Sequence, residues 1–293
     1  HNRVHPDAPV TEALLRHLLA STQGDDLVSE LWEEGGRLVG AALAHRDSTL
    51  ARPVRLELWL EPSLATPERR RALYAHALAR LPAGVRALKT RFRETETGWL
   101  ELLAREGFCE LERQWGSVLD VTRFDETPFV SAFERASAAG VRFTTVAELP
   151  DDEATRRLLY DTITGFLLPD VPFAEPLHIW PFTTWLERGW RDPQKNPESW
   201  FLAFRGEDLL GMSELRLALD PKRLETGLTG VRRSARRQGI ALGLKLLGVR
   251  YARARGAATI GTTNHSVNRP MLAINERLGF VKLPAVISFK KEL

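Results

Sequence analysis

One segment, Thr229–Ala241, reads TGVRRSARRQGIA and gathers groups that bind anions. Arg232, Arg233, Arg236 and Arg237 supply guanidiniums, which make charge-assisted and often bidentate hydrogen bonds to phosphate oxygens. The residues up to Val231 predict a strand. Apolar positions at Ile240, Leu244, Leu247 and Tyr251 predict a helix that begins near Gly239 and stops at Gly256. A helix start presents unpaired N–H groups and about half an elementary positive charge, so strand, Arg-rich turn and helix together predict a site for a phosphorylated ligand. Gly239 would let backbone approach that ligand closely, and the small Ala241 would keep the first helical turn clear. This reasoning does not separate a nucleotide from coenzyme A.

The elements that must position this loop occur twice. Gly84, Gly107 and Phe108 recur as Gly256, Gly279 and Phe280 at a constant spacing of 172, and Gly40 recurs as Gly211 at 171. In the second copy, period and punctuation predict a strand over Val141–Val146 and a helix over Asp151–Phe166. A hairpin of Trp200–Arg205 and Leu209–Leu219 turns across Gly206-Glu207-Asp208, and a strand covers Arg223–Val231. After the long helix come a strand at Thr259–Thr263, a helix at Asn268–Leu278, and strands at Phe280–Leu283 and Ala285–Lys290 that close the sheet. Residues 1–125 and 141–293 are therefore read as two domains of one α/β kind, joined by a linker over 126–140. The segment Pro169-Asp170-Val171-Pro172 has its counterpart at Pro6-Asp7-Ala8-Pro9, which leads us to expect a first copy truncated before its opening strand and most of a helix.

Arg236-x-x-Gly239-x-Ala241, between a strand and a long helix and followed by Asn268-x-x-Met271 and a Leu278-Gly279-Phe280 ending, resembles the pyrophosphate-binding core of the GNAT acetyltransferase superfamily. Two copies in one chain are similar to its tandem members of the mycothiol synthase type. The resemblance implies two GNAT-like domains, each a mixed, mostly antiparallel central sheet flanked by helices and splayed to hold the cofactor. It implies acetyl-CoA as that cofactor, contacted by Thr229, Gly230, Val231, Arg236, Arg237, Gln238, Gly239, Ile240 and Ala241, with Asn268 on the pantetheine arm or serving as a helix cap.

The copies are not equivalent. At the 172 spacing, Arg236 becomes Leu64, Gly239 becomes Pro67, Ile240 becomes Glu68 and Ala241 becomes Arg69. A cation is lost, a carboxylate arrives where phosphate would sit, and proline removes an N–H. Thr66 and Pro67 still read as a helix cap and first helical residue. One functional cofactor site is expected, in the second copy.

In families of this type an amine attacks the thioester directly, which calls for a base, an oxyanion donor and a fate for the thiolate. Glu225 is the expected base, being 11 residues before Arg236 on the strand; strand alternation would place it on one face with Gly227, Thr229 and Val231. It could equally be a surface carboxylate paired with Arg223, and Glu214 on the neighbouring hairpin strand is the reserve. The resemblance implies a backbone N–H near Val231 as the oxyanion donor. Asn275 stands where many members carry a Tyr acid, so water, His265 or no acid at all would serve the thiolate; a thiol pKa near ~8.5 makes unassisted departure tolerable. Phe166, Phe173, Trp180, Phe182, Trp185, Trp190 and Trp200 either line the acceptor side or glue the domains together.

The 293 residues are 43% hydrophobic and 27% charged, which excludes a disordered chain. No apolar run reaches a membrane span, no signal peptide is visible, and a cytoplasmic location is expected. Forty-one basic against 38 acidic residues leave +3, too small and too scattered an excess to mark a nucleic-acid binder. Cys109 stands alone, so no disulfide framework or thiolate metal site is expected, and its apolar neighbours suggest burial. The expected activity is acetyl transfer to the primary amine of a small molecule, by a monomer or homodimer; the alternative is a catalytically silent acyl-CoA sensor.

Overall fold

The structure is a computed structural model and describes residues 26–46, 53–218 and 220–293. The Pro6–Pro9 counterpart and any opening strand of the first copy lie outside these residues. In chain order the first half supplies β1 (Asp26–Glu34), β2 (Arg37–Arg46), β3 (Val54–Leu60), α1 (Pro67–Ala79), β4 (Ala87–Arg93), α2 (Thr97–Arg105) and β5 (Cys109–Asp120). The second half supplies α3 (Thr127–Ala138), β6 (Arg142–Thr145), α4 (Glu153–Thr162), α5 (Phe182–Trp185), β7 (Lys195–Arg205), β8 (Asp208–Leu217) and β9 (Arg223–Val231). It continues with α6 (Ile240–Ala254), β10 (Thr259–His265), α7 (Arg269–Arg277), β11 (Val281–Lys282) and β12 (Val286–Glu292).

The fold class read from the sequence holds: strands alternate with helices, and pairing is antiparallel except between β3 and β4 and between β9 and β10. The strands form one continuous sheet in the order β1-β2-β3-β4-β12-β5-β10-β9-β8-β7-β6. Its centre corrects the expectation that Ala285–Lys290 closes the second copy's own sheet. β12 pairs with β4 from Val286↔Arg93 to Glu292↔Ala87, and β5, its repeat in the first half, pairs with β10 from Thr259↔Asp120 to His265↔Gln114. Each half thus completes the other's sheet, and the two exchanged strands meet each other in the middle.

The stretch expected as a linker, 126–140, is mostly the helix α3. Phe129, Ala132 and Ala136 recur at helical spacing and bury against α6, together with Leu119 and Val121 at the end of β5. A second core lies on the opposite face of the same strands, where Leu159, Leu167, Trp185, Trp200 and Met212 pack together. The first half has its own core around Leu56, Leu73, Leu88 and Leu103. Cys109 begins β5 exposed rather than buried, because alternation turns its neighbour Phe108 inward instead.

Candidate functional site

β9 ends at Val231 and a short turn of Arg233–Ala235 carries the chain to α6. Arg237 and Gly239 both take left-handed backbone, with φ 62° and 81°. No side chain caps α6, and its first amide with a backbone acceptor is Gly243, 2.9 Å from the Gly239 carbonyl. Among the described residues the amides of Gly239 to Leu242 therefore have no protein acceptor. They form the positive end of a 15-residue helix. Glycine is required at 239 for two structural reasons: its φ, and the Ala132 carbonyl of α3, which would lie 2.8 Å from any Cβ placed there. Ile240 points away from the loop into the core, 1% exposed.

The arginines are held by a residue the sequence reading left unassigned. Asp170, in the Pro-Asp-Val-Pro segment, accepts from Arg233 Nε at 2.8 Å and from Arg236 Nη2, while Arg236 Nε donates to the Val231 carbonyl at 3.2 Å. Those guanidiniums hold the Asp170 carboxyl below the usual carboxylate range. Arg232 lies over the Phe166 ring at 3.9 Å, and Gln238 accepts from Arg205 at 2.7 Å. The recurrence of Pro-Asp-x-Pro in both copies was the available signal for Asp170.

Beside the loop the sheet splits. β9 and β10 pair in parallel over Arg223, Leu224 and Glu225 only, against Thr259, Ile260 and Gly261, and then part. Glu225 is the last paired residue of β9 and its carboxylate lies over Gly261, where a Cβ would be 2.2 Å from Oε2. It also accepts from Arg223 Nε at 2.5 Å, the pairing named in the alternative reading of this carboxylate.

The expected common face of Glu225, Gly227, Thr229 and Val231 is not found. Leu215 pairs with Thr226 and Ser213 with Thr229, so β9 carries one extra residue, a β-bulge. Thr229, bonded to Ser213 at 2.8 Å, and Val231 face α6, whereas Glu225 and Gly227 face away from it. Gly230 meets Leu167 on that far side.

Glu214 is on the far face too, but buried in a charge cluster. It accepts from Arg216 Nε at 2.8 Å, lies 3.9 Å from Lys195 Nζ, and packs on Gly227, where a Cβ would come within 2.8 Å of its carboxyl carbon. Burial lowers the Lys195 ammonium.

Asn268 caps α7, its Oδ1 accepting from Met271 N at 3.4 Å. Asn275 is 2% exposed and donates to Asn264 Oδ1 at 2.6 Å. His265 is the last residue of β10, and its Nε2 lies 3.6 Å from Glu112 of β5.

Of the aromatic stretch, Phe182, Trp185, Trp190 and Trp200 stack with Tyr160 into the far-face core of the second half. They pack within the second half rather than between the halves. A groove of about 340 Å³ lies beside them, lined by Thr164, Leu168, Val171, Phe173, Leu177 and Ile179. The segment bordering it reaches the first half, where Glu175 accepts from Lys89 at 3.1 Å and Lys290 at 2.9 Å. Among the described residues no cluster of metal-ligating side chains is present, and no helix is long and apolar enough to cross a membrane.

The first half has a similar split in its sheet with different residues around it. β3 and β4 pair in parallel only at Val54↔Leu88 and Arg55↔Lys89, so Arg55 and Lys89 occupy the register of Glu225 and Gly261. The start of α1 is already capped by Thr66, which accepts from Arg69 N at 3.3 Å. The Glu68 carboxylate sits there as well, held low by its own backbone N–H and the Thr66 hydroxyl.

Residues 166–280 match the family model of the acetyltransferase (GNAT) family. The chain is 31% identical over 101 residues to a mycothiol acetyltransferase of Streptomyces scabiei (strain 87.22), a match covering 34% of this chain and 33% of that one. It is 28% identical over 107 residues to a mycothiol acetyltransferase of Streptomyces bingchenggensis (strain BCW-1), covering 36% and 35%. The matched part thus spans about a third of the length of these curated relatives. A tandem GNAT protein from the clavulanic acid biosynthesis pathway superposes with a TM-score of 0.70 at 20% identity, over 97% of this chain and 89% of that one. A GCN5-related N-acetyltransferase from Sphaerobacter thermophilus gives 0.63 at 17%, over 88% and 78%. At these identities the structural likeness is one of fold.

Proposed function

We propose that this chain, whose residues 166–280 match the GNAT acetyltransferase family model and whose fold is that of a tandem GNAT protein, moves an acetyl group from acetyl-CoA to a primary amine of a small molecule, using its second half. The observation that carries the reading is the uncapped start of α6: four unpaired amides, a left-handed Gly239 and flanking arginines lie at the mouth of a split in the sheet. These residues suit a diphosphate followed by a slender arm, with Gly239 to Leu242 taking the phosphates and the open edge of β9 taking the arm. When bound, acetyl-CoA supplies an acetyl group activated as a thioester.

Glu225, at the base of the split, receives the proton of the attacking amine, directly or through water. A backbone N–H near Val231 steadies the developing oxyanion. Glu214, buried among Arg216 and Lys195, holds the strands rather than the proton. Asn268 orders the start of α7 and borders the arm. The acceptor enters from the face on which Glu225 lies. Residues 1–125 and 141–293 act as support and catalytic units, in the cytoplasm, as a monomer or homodimer, with no nucleic-acid partner. Asn275, buried against Asn264 and without an acidic proton, favours a second reading as an acyl-CoA sensor without turnover.

Calorimetry with acetyl-CoA, beside a thiol-release assay over a panel of amines, tests both. We expect binding and thiol release, with both lost in Gly239→Glu. Glu225→Gln should bind normally and turn over about a hundredfold more slowly. Binding without release across the panel selects the sensor; absence of binding removes both readings.

A further inference from the structure

Lys245 breaks the pattern of α6. It lies between Leu244 and Leu246, both fully buried, and is itself only 6% exposed. It faces the sheet and lines a small space with Ser213 of β8, Thr226 of β9, Ile260 of β10 and Phe280. Among the described residues its ammonium has no hydrogen-bond or carboxylate partner; it lies over the Phe280 ring at 5.4 Å. No other lining side chain ionises: β8, β9 and β10 present hydroxyls and apolar groups, the chain after α7 presents Leu278 and Phe280, and α3 packs on α6 through Ala132 and Phe133. Burial without a counter-charge pushes this ammonium down to about 8. An unpaired interior cation is a costly arrangement unless an anion visits it.

The place of that space within the site decides which anion. Thr226 follows Glu225, the last β9 residue paired with β10, so the space lies under the point where the strands part. Lys245 is six residues along α6 from Gly239, roughly 9 Å at 1.5 Å per residue. On the acetyl-CoA reading, an arm that runs from the start of α6 down the split passes the level of this space.

We propose that Lys245 binds the sulfur end of the acyl carrier, its ammonium meeting the charge that develops on sulfur and then giving it a proton. This rests on the acetyl-CoA reading above. The amine nitrogen bonds to the carbonyl carbon and the C–S bond breaks with its electron pair on sulfur. The proton of the amine leaves to Glu225 or water. Lys245 Nζ supplies the proton that completes the thiol and is reprotonated from solvent. Lys245 thereby fills the role that Asn275 has no acidic proton to play.

The test titrates the thiol of bound coenzyme A by its ultraviolet thiolate absorbance, in the full chain and in Lys245→Met and Lys245→Arg, with calorimetry alongside. In the unsubstituted protein the bound thiol is expected to ionise about one pH unit below the free thiol. Lys245→Met should abolish that shift and Lys245→Arg should retain it. Turnover of Lys245→Met should fall about a hundredfold with little change in KM, and the alkaline limb of kcat should vanish. A bound thiol that titrates with the free one overturns the proposal without recourse to any variant, as does a shift that survives Lys245→Met. Absence of coenzyme A binding to the unsubstituted protein overturns the acetyl-CoA reading instead.

Discussion

Lys245 also sets a pH dependence of stability that is independent of any ligand. Its ammonium falls from 10.5 to about 8 on burial, so the native chain gives up this proton earlier than the unfolded chain. Between those values the unfolded state binds more protons, and stability rises with pH across that window. Below it the full cost is present, up to about 3 kcal/mol at ~1.36 kcal/mol per unit. Lys245→Met is therefore expected to unfold at higher temperature at pH 7, the gain shrinking as pH climbs from 8 toward 10.5. Thermal melts of both proteins across that range check it; parallel curves would show that the lysine costs nothing. The apolar stripe read from the sequence, Ile240, Leu244, Leu247 and Tyr251, left Lys245 without a role, and nothing in the sequence revealed that it turns inward onto strands that bring no carboxylate. Glu225 was legible as a residue but not in its direction. The extra residue in β9 leaves only Gly227 as a trace, and one bulge reverses which side chains share its face.

At the scale of elements, the repeat exposed nearly every strand and helix, because period and glycine punctuation are local. The exchange of β5 and β12 was not legible. Either strand alternates well enough to complete its own half, and the choice is made by pairing across more than a hundred residues. The helix α3 was missed for a related reason: read as a linker, its apolar positions had no visible partner until α6 lay against it. The exchange has a direct consequence. A chain ending after Leu283 loses β12, which leaves facing edges of β4 and β5 without ladder partners and strips Ile287 from the interior. That truncation should damage the first half, in which β12 is seated, as severely as the second, from which it comes. Loss of a cooperative thermal transition and aggregation on gel filtration are the expected results. A truncated chain in which the first half still melts cooperatively would mean that the exchanged pairing contributes little.

Across the whole molecule, the proposed reading gives one half a cofactor site and the other only a similar outline, and the strand exchange gives a reason for the outline to persist. β5 flanks β10 and brings Glu112 to His265, so the first half must stay folded for the second to have a complete sheet beside its split. Nothing requires it to bind phosphate, and its own split has drifted in charge. Arg55 and Lys89 stand in the register of Glu225 and Gly261, Lys89 is engaged by Glu175 of the other half, and Thr66 with Glu68 already occupies the start of α1. Restoring one residue cannot rebuild such a site: Pro67→Gly would return an N–H but leave the Glu68 carboxylate where a diphosphate must lie. Calorimetric titration of the full chain with coenzyme A should therefore give one site per chain. It should give the same single site in Pro67→Gly and none in Gly239→Glu. Two equivalent sites, or a binding isotherm that survives Gly239→Glu, would place the cofactor in the first half and reverse the division of labour between the halves.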